Sequence, residues 1–96
     1  MFSLTEISVL ERAVAHWGRR KQLLKCAEEL MELARECMLA ADGAGDAGKL
    51  AHERADVEIV LYQFDNLLLP TLRPAVREKI NSQVKRLEGR LNDGEV

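Results

Sequence analysis

Residues 23–36 read LLKCAEELMELARE. Leu, Ala, Glu, Lys, Met and Arg all favour helix, and no glycine or proline interrupts them. Nothing in the stretch alternates with the period of two that a strand requires. At about 100° per residue it forms a helix with an unusually wide apolar arc. Leu23, Leu24, Cys26, Ala27, Leu30, Met31, Leu33, Ala34, Cys37 and Met38 belong to that arc. An arc so wide exceeds the stripe of a surface helix, and predicts packing on two sides, one within the subunit and one against a partner. Glu28, Glu29 and Glu32 fall on the remaining polar arc with Lys25 and Glu36. Taken alone, that arc is a solvated face.

Working outward, the same periodicity predicts an all-α chain of four helices forming one bundle, at about 4–16, 19–41, 50–69 and 74–91. Ser3 followed by Glu6 has the form of a capping box and opens the first helix, whose stripe is Ile7, Leu10 and Val14. Gly18 breaks the chain after Trp17. ADGAGDAGK holds three glycines and predicts a flexible loop over 42–49. Pro70 stops the third helix, Pro74 sits at the start of the fourth, and NDGEV (92–96) is a frayed tail.

With 96 residues the chain makes one small domain, whose modest core favours self-association. The formal charge of −2 argues against a binder of polymeric nucleic acid. No apolar run approaches the length that crosses a bilayer, and MFSLTEISVL lacks the pattern of a signal peptide. Cys26 and Cys37, eleven residues apart, fit no metal or redox spacing and read as reduced core thiols. The expectation is a cytoplasmic protein.

The third helix contains a misfit. Leu50, Val57, Val60, Leu61, Phe64 and Leu68 form its apolar stripe, yet Glu53 lies within that stripe and Asp56 at its edge. A carboxylate on a core face is costly unless it is paired, protonated or bound to a metal. Arginine, a raised pKa or a divalent cation would each compensate. Glu29 and Glu32 are three apart, as are Glu53 and Asp56, so each pair projects from one side of its helix. Antiparallel packing of the second and third helices would gather four hard oxygen donors, a set suited to Mg²⁺ or Mn²⁺.

These residues resemble the MazG-like all-α nucleoside triphosphate pyrophosphohydrolases. The family's two-part motif, EExxE and then ExxD, reads here EELME at 28–32 and ERAD at 53–56, with twenty residues between. QLLKCAEELMEL and ERADVEIVLYQF resemble the family's second and third helices. REKINSQVKRLEGRL is similar to the basic closing helix of its small phage-borne members. The likeness spans roughly residues 16–91.

The resemblance implies hydrolysis of a (d)NTP to the monophosphate and pyrophosphate, clearing unwanted or excess nucleotides. It implies Glu29, Glu32, Glu53 and Asp56 as Mg²⁺ ligands. Glu28 becomes an auxiliary ligand or the group that orients or deprotonates the attacking water. It also implies a homodimer or homotetramer. Lys79, Lys85 and Arg86, with Asn81 as a neutral donor, are candidates for the phosphates, and a solvated basic face is their alternative. Trp17 either stacks on a nucleobase or anchors a core or interface. Lys25 reads as a local ion-pair partner of Glu28 and Glu29, Tyr62 as a subunit contact, and His52 takes no role. ADGAGDAGKLAH and the Pro70–Pro74 segment match no substrate-reading motif. Two other functions stay open: phosphoribosyl-ATP pyrophosphohydrolase, of similar fold and metal motif, and a non-catalytic helical interaction module.

Overall fold

The computed structural model describes residues 1–94, and every regular element among them is helical. Three helices follow one another: α1 (Leu4–Ala41), α2 (Ala47–Gln63) and α3 (Arg73–Asn92). A π turn (Phe64–Leu68) and a 3-10 turn (Pro70–Leu72) join the last two. Residues 95 and 96, the end of the expected frayed tail, lie outside the described residues.

The capping box at the start of α1 is formed. Ser3 N–H donates to Glu6 Oε1 at 2.7 Å, and Glu6 N–H donates to Ser3 Oγ at 3.1 Å. The two helices expected on either side of residue 18 are arms of one element. Gly18 alone leaves helical geometry (φ 85°, ψ 165°), so a single residue makes the bend and no loop intervenes. That backbone region is accessible essentially to glycine only.

The glycine-rich connection is shorter than expected. Asp46 caps α2 by accepting a hydrogen bond from Lys49 N–H at 3.0 Å, so the helix begins at Ala47. Gly45 is required by space, since a Cβ there would lie 2.6 Å from Ala40 Cα. At the far end the helical coil continues through Leu68. Leu69 (φ −135°, ψ 53°) then leaves it, as the residue before a proline tends to do.

The core lies where both arms of α1 meet α2 and the π turn. Cys26, Val57, Val60 and Leu68 are buried, with Leu10, Val14, Leu33, Ile59 and Phe64 half-buried around them. Gln63 ties α2 to the first arm, donating from Nε2 to Leu10 O at 3.3 Å. Tyr62, expected at a subunit contact, stacks edge-on against Phe2 of its own chain, with centroids 5.2 Å apart. Cys37, expected in the core, is exposed.

Two features depart from a closed bundle. Every residue from 71 to 94 is exposed, so α3 stands clear of the other helices and packs chiefly on the 3-10 turn before it. The radius of gyration, 16.5 Å, exceeds the roughly 12.5 Å of a compact chain of this length. The second arm of α1 also turns inward a mixed face, in which Cys26 and Leu33 alternate with polar residues. Gln22, Glu29 and Glu36 are buried, whereas Leu24, Leu30, Met31 and Met38 of the apolar arc are exposed.

Candidate functional site: carboxylates gathered between α1 and α2

The helical step decides which acids meet. Gln22, Cys26, Glu29, Leu33 and Glu36 follow one another at intervals of three or four, so they share the face of α1 that lies on α2. Glu29 is only 5% exposed, while its neighbours Glu28 and Glu32 are exposed. From α2, Glu53 and Asp56 approach half-buried. One carboxylate oxygen from each of Glu29, Glu32 and Glu53 lies within 4.8 Å of the other two. Glu53, Asp56 and His52 make a second such group, so Glu53 belongs to both.

The electrostatics carry the strain of that arrangement. Glu32 holds its proton above the ordinary value of 4.5, first because it can share that proton with Glu53, then through desolvation and the negative charge of Glu29, Glu53 and Glu28. Lys25 offsets part of the charge. Its Nζ lies 2.8 Å from Glu29 Oε1 and 3.8 Å from Glu28 Oε1, and the bond to Glu29 raises its own pKa. Two oxygens remain without compensation: Glu29 Oε2 and Glu53 Oε2 are buried with no hydrogen-bond partner. A buried carboxylate oxygen left unpaired is expensive, and a hard cation is the natural complement of several such oxygens. The residues therefore fit a divalent ion such as Mg²⁺ or Mn²⁺.

The acids open onto two clefts. One, of about 470 Å³, is lined by Glu32, Arg35, Glu36, Gly48, Lys49, His52 and Glu53. The other, of about 340 Å³, runs between the two arms of α1 and α2, and Gln22, Lys25, Glu29, Asp56 and Gln63 line it. A third cleft lies alongside, where Trp17, Lys21 and Leu24 join Gln22, Lys25 and Glu28. Trp17 is 53% exposed and meets His16 edge-on at 4.8 Å.

Of the residues singled out from sequence, the structure groups Glu29, Glu32 and Glu53, and separately groups Asp56 with Glu53 and His52; Glu28 is exposed beside the first group. It does not bring Lys79, Asn81, Lys85 or Arg86 to the acids of their own chain. All four are exposed on α3, and the two acid clefts are lined by other elements. The cations that do line the first cleft are Arg35 and Lys49, which sequence reasoning passed over. His52 was also missed: its Nε2 lies 3.5 Å from Asp56 Oδ2. The signal was present, since His52 precedes Asp56 by four residues and so shares its helix face. Compared with family models, with curated proteins and with solved structures, the chain matches none.

Proposed function

We propose that the protein is a Mg²⁺-dependent nucleoside triphosphate pyrophosphohydrolase of MazG-like type, converting a (d)NTP and water to the monophosphate and pyrophosphate. The observation that carries this reading is the meeting of Glu29, Glu32 and Glu53, with two of their oxygens buried and unpartnered. Glu29, Glu32, Glu53 and Asp56 would hold the ion. When bound, the ion would lower the pKa of the attacking water and neutralise charge on the phosphates.

The remaining roles belong to side chains of the clefts. Glu28, exposed beside the cluster, accepts the proton that water loses as its oxygen attacks the α-phosphorus. The bond from that phosphorus to the bridging oxygen breaks, and pyrophosphate leaves with the electron pair. Arg35 and Lys49 receive the leaving pyrophosphate in the first cleft. Trp17 stacks against the base on the far side. Self-association as a dimer or tetramer, completion of a four-helix bundle and action on cytoplasmic nucleotide pools belong to the same reading.

Product analysis tests it directly, using several dNTPs and phosphoribosyl-ATP with Mg²⁺. Monophosphate plus pyrophosphate, lost in Glu53→Gln, is the expected result. Free phosphate plus diphosphate, or no turnover of any nucleotide, would overturn it. Turnover of phosphoribosyl-ATP alone would move the substrate to histidine biosynthesis.

A further inference from the structure

Two buried glutamines line a cleft, and the reaction above gives them no task. Gln22 on the second arm of α1 is 8% exposed, and Gln63 at the end of α2 is 4% exposed. Both line the cleft of about 340 Å³ that runs between the arms of α1 and α2. Gln22 makes no side-chain hydrogen bond among the described residues. Gln63 makes one: its Nε2 donates to Leu10 O, which fixes the amide and leaves Oε1 without a donor among the same residues. A buried amide without partners is costly, and an apolar side chain of similar size would avoid that cost.

The rest of the cleft says what would satisfy them. Leu10, Ala13, Ile59 and Val60 supply apolar walls. Apolar walls with a few convergent polar groups are the usual make-up of a small-molecule pocket, in which the polar groups fix orientation. A primary amide presents a donor and an acceptor side by side, which matches the polar edge of a nucleobase. Gln63 adds the acceptor Oε1, whose match is an amino or ring N–H. Neither a sugar nor a phosphate combines flat apolar faces with such an edge. The acids border both clefts, Glu32 and Glu53 the first, Glu29 and Asp56 this one, so a nucleotide can span them. Gln22 also lines the cleft of Trp17, which makes the two openings neighbours across one side chain.

We infer that this cleft is a base-reading subsite, in which Gln22 and Gln63 hydrogen-bond the polar edge of the nucleobase and set which base is accepted. The inference rests on the nucleotide reading above and supplies what that reading lacks, the groups that give it a base preference. The ligand class is a nucleotide whose base carries an amino or ring N–H beside a carbonyl or ring-nitrogen acceptor. Inorganic polyphosphates lack that edge and gain nothing from the glutamines.

Isothermal titration calorimetry with Ca²⁺ in place of Mg²⁺ tests it, using the four dNTPs and inorganic tripolyphosphate on wild type and Gln22→Met. Methionine keeps the bulk of the buried side chain without its amide, and circular dichroism verifies that helicity is retained. Wild type is expected to bind one dNTP about tenfold or more tighter than the weakest dNTP and than tripolyphosphate. In Gln22→Met that dNTP should weaken about tenfold, while tripolyphosphate is unchanged. A wild type that binds all five ligands alike, or binds no dNTP, overturns the inference without recourse to the variant. A variant that keeps the wild-type ranking overturns it as well. The two readings fail separately. Base preference lost in Gln22→Met, with no turnover of any dNTP by wild type in Mg²⁺, supports the subsite and sinks the reaction. Turnover with the ranking intact in the variant sinks the subsite and leaves the reaction standing.

Discussion

The carboxyl groups of Glu32 on α1 and Glu53 on α2 meet across the helix interface, an oxygen of each within 4.8 Å of the other, and the proton that Glu32 can share with Glu53 raises its pKa above the ordinary value of 4.5. The folded state therefore binds more protons than the unfolded chain over the interval from 4.5 up to the raised pKa. In that interval the Glu32 contribution to stability falls as pH rises, and above it the repulsion is fully present. In EDTA, thermal melts should show this contribution improving as pH drops from neutral toward 4.5. Glu32→Gln should remove that component and raise the metal-free melting temperature at neutral pH. An unchanged pH profile in the variant would show that the pair has no such role.

Adding Mg²⁺ should stabilise wild type but not variants that lack one of the proposed ligands. A ligand bound only by the native state at about 100 times its Kd contributes about 2.7 kcal/mol. For a domain of this size each kcal/mol raises Tm by about 4–8 °C. Wild-type protein should therefore gain roughly 10 °C or more at saturating Mg²⁺, on the same conversion. Glu29→Gln and Glu53→Gln should gain little. Equal gains in all three would place the ion elsewhere.

Gly18→Ala should destabilise the protein by about 1–3 kcal/mol, because a side chain is placed in a backbone region that only glycine enters freely. Open space surrounds the position, so the cost comes from the backbone and not from a clash. Chemical denaturation measures it directly. A variant as stable as wild type would mean that the bend at residue 18 straightens at no cost.

Trp17 is the sole tryptophan, half exposed at the mouth of a cleft next to the acids, so its emission reports on that place alone. A stacked base should quench it on titration with dNTP and Ca²⁺ in place of Mg²⁺. Quenching should vanish in the presence of EDTA. A spectrum unaffected by nucleotide would restrict Trp17 to an anchoring role.

Helix ends were the most legible part of this chain, because each is marked by local chemistry. Ser3 and Glu6 form the expected cap, and the coil ends at Leu68, two residues before Pro70. Asp46 was hidden among glycines, although its carboxylate is what starts α2. Glu53 was legible as a misfit because its helix has only one apolar stripe. The second arm of α1 was not, since an arc covering about half a helix cannot say which half faces inward. Packing chose one edge of that arc, where Cys26 and Leu33 alternate with Gln22, Glu29 and Glu36, and only the position of α2 reveals that. Arg35 and Lys49 escaped for a related reason: they flank the first cleft from opposite sides of a connection whose path no periodicity encodes.

The inward turn of Glu29 and Glu36 sets this chain against itself during folding. Hydrophobic burial alone would favour rotating the arm so that Leu24, Met31 and Met38 turn inward and the acids reach water, although Cys26 and Leu33 would then be exposed. The native arrangement and its rotated rival thus use the same helix, loop and bend, and differ in which side of one cylinder meets α2. Such a conflict between local preference and final structure is frustration, which natural sequences tend to minimise and retain where function demands it. Here an influence that would tilt the balance, a cation held among Glu29, Glu32 and Glu53, comes from outside the chain.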